Sequence, residues 1–175
     1  MNTQAFYFFY NLTRKFPEFN WFFVFNASYL FYILILIFII HLLLNQRLAS
    51  NKKRAWLALA FISAGFARGI LTEIIRYFYH NQRPFVFYDS IKPLIPESSY
   101  SFPSGHTIFI FSFATIVYFY NKKLAYWLSF GGLIMGLARV TVGVHWPSDI
   151  LGGIVLGILT SVILYKIAAK KFLNS

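Results

Sequence analysis

Three short polar clusters interrupt a sequence that is otherwise rich in apolar residues. The clusters cover residues 76–84, 103–106 and 139–149. Together they contain three arginines, one carboxylate and, besides His80, two histidines. Guanidinium forks suit phosphate oxygens. An imidazole backed by a carboxylate can act as a nucleophile or as a base. These residue types predict an enzyme that removes a phosphate, and the apolar surroundings indicate that the phosphate belongs to a lipid.

His145 and Asp149 form the sharpest pattern in these clusters. Asp149 follows His145 by four residues and falls in the first turn of the helix that Pro147 would begin. A carboxylate there can accept the imidazole N–H and leave the other ring nitrogen free to attack phosphorus. Arg139 ends the preceding apolar segment and can add a guanidinium to the phosphoryl group. Alternatively, the helix dipole alone favours Asp149 at that position, and His145 lies in a polar loop.

Arg76 and Arg83 lie seven residues apart, about two helical turns. The spacing predicts that they share a helix face, grip one phosphate from two sides and precede a helix end at Pro84. Ordinary snorkelling arginines at a helix end are the alternative. Glu73 can pair with Arg76 on the helix. For Glu73 and the deeper Arg68, a structural ion pair and a role behind the phosphate-binding groups both remain open.

The second cluster sits where a helix is predicted to begin. Ser104 is expected to be the N-cap, with its side-chain oxygen accepting a first-turn N–H. Gly105 has no side chain, so a phosphate could approach the free N–H groups of the helix start. His106 points into the same area. A capped helix start with an incidental histidine is the alternative. Of the other histidines, His41 is expected at the opposite membrane interface and His80 in solvent.

The composition indicates a membrane protein of one domain covering residues 1–175. Hydrophobic residues make up 58% of the chain and charged residues 12%, against about 25% charged residues in soluble domains. The net charge is +11, but the basic residues stand in short groups between apolar runs, so no nucleic-acid partner is expected. Cysteine is absent, which excludes thiol chemistry. Nothing in the sequence indicates an oligomeric state.

The apolar runs predict an all-α, polytopic membrane helix bundle with about five transmembrane helices. A span needs about 20 mostly apolar residues, and the predicted spans are residues 21–44, 55–79, 104–120, 124–142 and 147–169. Small residues in the last two spans would allow close helix packing. Residues 1–20 predict an interfacial helix on the membrane, with a partly inserted hairpin as the alternative. They do not resemble a signal peptide, because their charges follow the apolar residues.

With five spans, all three clusters fall on the same membrane face. The opposite face carries more basic residues, namely Arg47, Lys52, Lys53, Arg54, Lys122, Lys123, Lys166, Lys170 and Lys171. The cluster face has Arg14, Lys15 and Lys92 outside the clusters. Lys and Arg accumulate on the cytoplasmic side. We therefore expect a multi-pass protein of the cell membrane with its site on the extracytoplasmic face and its C-terminus in the cytoplasm.

Taken together, the clusters resemble the signature of the type-2 phosphatidic acid phosphatase superfamily of membrane lipid phosphatases. That signature reads Lys, six residues, Arg-Pro; then Pro-Ser-Gly-His; then Ser-Arg, five residues, His, three residues, Asp. The order and the spacings agree over residues 76–149. Two positions depart, since Arg76 replaces the usual Lys and Ala138 replaces the usual Ser. The first keeps the charge with another donor geometry, and the second removes one possible phosphate hydrogen bond.

The resemblance implies a mechanism without a metal or cofactor. His145 would be the nucleophile that forms a phosphohistidine, Asp149 would orient it, and His106 would be the general acid. The phosphoryl oxygens would be held by Arg76, Arg83, Ser104, Gly105 and Arg139. No cluster of Asp and Glu is available for Mg²⁺.

The sequence indicates the reaction more specifically than it indicates the lipid substrate. The short chain and residues 142–153 are similar to bacterial undecaprenyl diphosphate phosphatases, which act on the lipid carrier of the cell wall. Phosphatidylglycerophosphate, phosphatidic acid and lipid A phosphates are alternatives. Residues 85–102 are expected to shape the head-group pocket. A different class also stays open: an anion or lipid transporter could use the same histidines and arginines, and a structural subunit would need none of them.

Overall fold

The computed structural model describes residues 2–46 and 49–168. This part of the chain is all helical, as expected, and contains no β-strand. A 3₁₀ turn over Pro17–Phe19 joins the first two helices. The helices are α1 (Asn2–Lys15), α2 (Asn20–Ser28), α3 (Leu30–Leu44), α4 (Ser50–Phe78), α5 (Pro84–Phe87), α6 (Gly105–Tyr120), α7 (Lys122–Thr141) and α8 (Pro147–Ala168).

Three of these helices, α4, α7 and α8, are long and apolar enough to cross a membrane. Helices α2 and α3 pass the same test only as a pair, which raises the number to four. Helix α6 is apolar but has 16 residues, so the predicted span over 104–120 stays a prediction. The end of the predicted fifth span at Ala169 lies outside the described residues, as do Arg47, Lys170 and Lys171 of the charge bias.

The first predicted span is broken near its middle. The predicted span over residues 21–44 consists of two helices, because Pro17–Ser28, which contains α2, meets α3 at Tyr29 with a bend of 48°. The guanidinium of Arg139 donates from Nη1 to the carbonyl of Ala27 over 3.1 Å. A donor from another helix thereby competes for a carbonyl of the helical ladder, which is a recognised cause of bending. The bent pair still qualifies as one span, in keeping with the span predicted over residues 21–44.

Helix α4 starts earlier than predicted and contains an irregular turn. It begins at Ser50 rather than at Ala55, and it widens into a π-helical turn over Ala67–Leu71. The hydroxyl of Thr72 donates to the carbonyl of Ala67 over 2.9 Å. Turns of this kind are rare and occur often at functional sites.

Helix α6 lies at the centre of the bundle and packs against α4, α7 and α8. The contact with α8 is close: a Cβ added to Gly157 would lie 2.6 Å from the carbonyl oxygen of Ile108. Three buried serines from α4, α6 and α8, namely Ser63, Ser112 and Ser161, join their hydroxyls over 2.6 to 3.0 Å. Small side chains and interhelical hydrogen bonds are what hold helices together in lipid.

Four helix ends meet at one end of the bundle. They are the C-terminal ends of α4 and α7 and the N-terminal ends of α6 and α8, as the span count predicted. Helix α1 packs on the same end, where Phe6 and Tyr10 contact Trp146 and Ile91 in a buried cluster. The segment over residues 1–20 is therefore helical from Asn2 to Lys15, while its position relative to a membrane stays a prediction.

Candidate active site

His145 lies in the turn between α7 and α8 and is 1% exposed. Its Nδ1 lies 3.3 Å from Oδ2 of Asp149, and its Nε2 lies 3.3 Å from Nη1 of Arg83. Because a guanidinium can only donate, Nε2 must be the unprotonated nitrogen and Nδ1 must carry the proton. The imidazole thus keeps a lone pair on Nε2, which is the arrangement that a nucleophilic histidine needs.

The Asp149 carboxylate is fully buried behind His145. It accepts the backbone N–H of Trp146 over 2.8 Å, the side-chain amide of Asn81 over 3.2 Å and the hydroxyl of Ser101. Three donors in addition to the imidazole fix its position at the start of α8. Neither Asn81 nor Ser101 was predicted to have a role, although Asn81 stands in the first polar cluster and Ser101 beside the second.

Burial and the neighbouring charges keep His145 neutral. Removal from water lowers the pKa of its imidazole well below the usual value, and Arg139 and Arg83 lower this pKa further. Glu97 acts in the opposite direction. A neutral imidazole at physiological pH is the form that can attack phosphorus.

Arg83 reaches this histidine from a loop, not from a helix. Helix α4 ends at Phe78, and Pro84 is the first residue of α5 instead of the stop after a longer helix. The predicted shared helix face of Arg76 and Arg83 is therefore wrong, because Pro is tolerated in a first turn and starts a new helix here. The two guanidinium groups still converge: Nη1 of Arg76 and Nη2 of Arg83 lie 3.3 and 3.2 Å from Oγ of Ser99.

Arg83 is held firmly. Its Nε donates to the carbonyl of Ser99 and its Nη1 to the carbonyl of Val144, both over 2.7 Å. Burial lowers the pKa of Arg83 to about 10, so the side chain remains a cation at neutral pH. Its Nη2 also lies 3.2 Å from the Glu97 carboxylate.

Arg76 and Arg139 each have one buried guanidinium nitrogen, Nε, without an acceptor. Arg76 donates to the carbonyl of Pro103 over 3.1 Å and pairs with Glu73 over 3.4 Å, as predicted for these two residues. Arg139 donates to Ala27 and to Glu97. The Nε–H groups of both arginines are buried without an acceptor, and they are the only such donors among the described residues. A buried donor without a partner is costly.

Glu97 is a further residue of the site that had no predicted role of its own. Its carboxylate bridges Arg83 and Arg139 and is 22% exposed. Burial would raise the pKa of this carboxyl, but the guanidinium groups of Arg139 and Arg83 outweigh burial and lower it. Glu97 is therefore ionised and occupies donors that the sequence assigned to a phosphate.

These groups surround one cavity of about 90 Å³ at the end of the bundle. Of the eight predicted site residues, six line it: Arg76, Arg83, Gly105, His106, Arg139 and His145. His106 is half-buried, and its ring packs edge-on against Phe31 with the ring centroids 5.3 Å apart. It stands on the wall formed by the start of α6, whereas His145 stands on the wall formed by the turn before α8.

Ser104 and Asp149 lie behind the cavity walls. Ser104 is fully buried at the N-cap position of α6, but its side chain caps no first-turn N–H, so the predicted capping bond is wrong. Its hydroxyl instead accepts the Thr107 hydroxyl over 3.1 Å. No group of three or more His, Cys, Asp or Glu side chains suited to a metal ion occurs in residues 2–46 and 49–168.

The two remaining histidines lie outside the cavity. His80 is exposed, as expected, and its ring lies against Tyr100 with the centroids 4.6 Å apart. His41 is near the opposite end of the bundle, with Nε2 3.3 Å from the side-chain amide of Asn121.

Comparison with known families and sequences gives a consistent picture. A family model described as the PAP2 superfamily matches residues 53–173, more than half of the chain. The bacitracin transport permease protein BcrC of Bacillus licheniformis is 31% identical over 97% of this chain and 82% of its own length. The undecaprenyl-diphosphatase BcrC of Bacillus subtilis is 33% identical over 58% of this chain, and phosphatidylglycerophosphatase B of the same organism is 30% identical over 61%. This chain spans about half the length of the last two relatives.

Two solved structures share the fold. LpxE of Aquifex aeolicus superimposes with a TM-score of 0.75 at 23% identity and covers 94% of each chain. A transmembrane PAP2-type phosphatidylglycerolphosphate phosphatase from Bacillus subtilis gives a TM-score of 0.65 at 25% identity, over 89% of this chain and 79% of that chain.

Proposed function

This chain belongs to the PAP2 superfamily and is a multi-pass membrane lipid phosphatase, and we propose that it converts undecaprenyl diphosphate to undecaprenyl phosphate. One observation carries the proposal: His145, with its lone pair on Nε2, lines the same cavity as Arg76, Arg83 and Arg139. A nucleophile beside guanidinium donors fits phosphoryl transfer. The similarity to the undecaprenyl-diphosphatase of Bacillus subtilis supports the choice of lipid.

In the proposed reaction, Nε2 of His145 attacks the terminal phosphorus and the P–O bond to the bridging oxygen breaks. His106 gives its proton to the leaving oxygen, and lipid phosphate departs. Water then attacks the phosphohistidine, with His106 accepting the proton, and inorganic phosphate is released. Asp149 holds Nδ1–H over 3.3 Å and stabilises the positive charge that develops on the imidazole.

The proposed phosphate site combines the three arginines with the start of α6. Arg76, Arg83 and Arg139 neutralise the equatorial oxygens of the phosphoryl group, which is the work that metal ions perform in other phosphoryl-transfer enzymes. Gly105 exposes its backbone N–H at the helix start. Ser104 acts from behind the cavity wall, through its position at the N-cap. The reaction is therefore proposed to need no metal.

The test is phosphate release by the purified protein in detergent with EDTA. Undecaprenyl diphosphate, phosphatidylglycerophosphate and phosphatidic acid serve as substrates, and His145→Ala is assayed beside the matched control His80→Ala. We expect chelator-resistant release from the prenyl diphosphate, loss of at least about 1,000-fold in His145→Ala, and unchanged release in His80→Ala, because His80 lies outside the cavity.

Other outcomes would change the proposed substrate, mechanism or function. Preference for a glycerophospholipid would keep the chemistry and change the substrate. Complete loss with EDTA would contradict the metal-free mechanism. Absence of release from all three lipids would favour transport, the activity named for the relative from Bacillus licheniformis. The confinement of the polar groups to one end of the helices argues against a transport pathway, which needs sites near the midplane.

A further inference from the structure

Arg68 is a fourth guanidinium at the same cavity. It stands in the π-helical turn over Ala67–Leu71 of α4, two helical turns before Arg76, and it lines the cavity together with His106. A π-helical turn is rare and is found often at functional sites. The sequence left its role open between a structural ion pair and a supporting contact.

No ion pair accounts for this charge. Arg68 takes part in none of the ion pairs or side-chain hydrogen bonds found over residues 2–46 and 49–168. The nearest acid on its own helix, Glu73, pairs with Arg76 instead. A cation within a membrane span is costly and is usually paired or functional. A structural ion pair therefore does not hold Arg68, and its exposed guanidinium is open to an anionic ligand.

The position of Arg68 along the cavity differs from that of the other arginines. A Cβ added to Gly105 would lie 3.7 Å from Nε and 3.9 Å from Cζ of Arg68, so the guanidinium passes along the first turn of α6 beside His106. Arg83 and Arg139 are instead joined to each other through Glu97, and Arg83 contacts His145. Arg68 is therefore on the wall that carries the general acid.

That wall faces the leaving group. In phosphoryl transfer, the attacking and leaving oxygens lie roughly in line on opposite sides of the phosphorus. With His145 as the nucleophile, the leaving oxygen must lie toward His106. When the lipid is a monophosphate, the leaving group is an alcohol once His106 has protonated it, and it carries no charge. When the lipid is a diphosphate, the leaving group is a lipid phosphate that keeps negative charge.

We propose that Arg68 binds the phosphate that stays on the lipid and thereby makes the site selective for lipid diphosphates over lipid monophosphates. This inference rests on the proposed phosphatase function. The bond that breaks joins the bridging oxygen to the terminal phosphorus, the electron pair leaves with that oxygen, and the guanidinium of Arg68 neutralises the lipid phosphate as it forms. Because a phosphate monoester is a good leaving group, this route depends less on the proton from His106.

The experiment compares two substrates that differ only in the leaving group. Farnesyl diphosphate and farnesyl monophosphate are assayed with wild type, Arg68→Gln and Arg68→Lys, and with Arg54→Gln as the matched control. Arg54 is an exposed arginine of the same helix at the opposite end of the bundle. We expect Arg68→Gln to lower kcat/KM for the diphosphate roughly 10- to 100-fold and to change kcat/KM for the monophosphate less than about threefold. Arg68→Lys should recover part of the loss, and Arg54→Gln should change neither value.

The outcomes distinguish a failure of the role inferred for Arg68 from a failure of the proposed phosphatase function. An equal loss on both substrates, or no loss on either, would overturn the role of Arg68 and leave the phosphatase intact. A wild-type protein that releases phosphate from neither substrate would overturn both. A second measurement does not depend on turnover of a prenyl substrate: inhibition of phosphatidic acid cleavage by inorganic diphosphate should weaken in Arg68→Gln, while inhibition by orthophosphate should not. Equal changes for the two inhibitors would contradict the inference.

Discussion

The contact of Glu97 with two arginines means that the site already contains an anion before any substrate enters. Its carboxylate accepts hydrogen bonds from Nη2 of Arg83 and from Nη2 of Arg139. A phosphoryl group would use the same donors. Phosphate carries more charge than a carboxylate and can accept from all three arginines at once. Substrate therefore has to displace Glu97 from this position or share the donors with it.

The charge of Glu97 also predicts a change in pH dependence. Glu97 is a negative charge near His145 and raises the pKa of its imidazole against the lowering by burial, Arg139 and Arg83. Glu97→Gln removes that charge, so the pKa of His145 should fall further. Protonation of His145 then requires a lower pH. We expect the acid limb of kcat/KM, which reports the free enzyme, to lie below pH 6.5 in wild type and to move to still lower pH in the variant.

The measurement is kcat/KM for one lipid substrate between about pH 4 and pH 8. Asp89→Asn is the matched control, because Asp89 is an exposed acid of the same connection between α4 and α6 and does not line the cavity. The control should keep the wild-type limb. The titration of the substrate itself is common to all three proteins, so a limb that stayed in place in Glu97→Gln, or moved upward, would show that His145 does not set it.

Among the helices, the contact between α6 and α8 determines the geometry of the site. Helix α6 carries His106 at its start, and α8 carries Asp149 in its first turn. The two helices approach so closely at Gly157 that an added Cβ would meet two backbone atoms, the carbonyl oxygen of Ile108 at 2.6 Å and the nitrogen of Ser112 at 2.9 Å. Backbone atoms cannot move aside as a flexible side chain can, so the helices themselves would have to separate.

Gly157→Ala is therefore expected to lower both stability and activity. Overpacking of a tight contact costs about 1 to 3 kcal/mol, and separation of α6 from α8 would also move His106 away from Asp149 and His145. Thermal unfolding in detergent and phosphate release measure the two effects. The control is Gly65→Ala in α4, where an added Cβ meets nothing within 4 Å. Equal behaviour of the two variants would show that the contact at Gly157 is not as close as the structure has it.

The helix ends near the cavity were predictable from the sequence, and the contacts between distant segments were not. The lengths of the apolar runs and the polar residues that end them predicted the end of α4 within one residue, at Phe78 rather than Tyr79. They also predicted the start of α8 at Pro147. Next to the break at Tyr29, Arg139 donates to a carbonyl that is 112 residues away in the sequence. No local sequence pattern predicts such a hydrogen bond.

In the site, too, local sequence signals were predictive and contacts between distant segments were not. The spacing of His145 and Asp149 is a local signal, since four residues bring the two side chains together at a helix start. Glu97 is a single carboxylate in a polar loop, and a lone acid has no spacing that predicts its partners. Its pairing with Arg83 and Arg139 follows from the way the loop folds back, where the N–H of Leu94 bonds to the carbonyl of Val142 over 3.0 Å.

The whole molecule is polar at one end, and this asymmetry makes its orientation in the membrane testable. The end opposite the cavity carries, among the described residues, Lys52, Lys53, Arg54, Lys122, Lys123 and Lys166, in keeping with a cytoplasmic position. The chain contains no cysteine, so a single introduced thiol reports its own side of the membrane. Asp89→Cys marks the cavity end and Lys123→Cys marks the opposite end, and both positions are exposed.

In intact cells, a maleimide that cannot cross the membrane should label Asp89→Cys and leave Lys123→Cys unlabelled until the cells are opened. Each variant should still release phosphate, because neither residue lines the cavity. The reverse labelling would place His145 and the arginines in the cytoplasm. The phosphatase chemistry would survive that result, because it depends on the cavity alone. A lipid carrier whose diphosphate is exposed on the outer face could then no longer be the substrate, and a phospholipid phosphate made on the inner face would take its place.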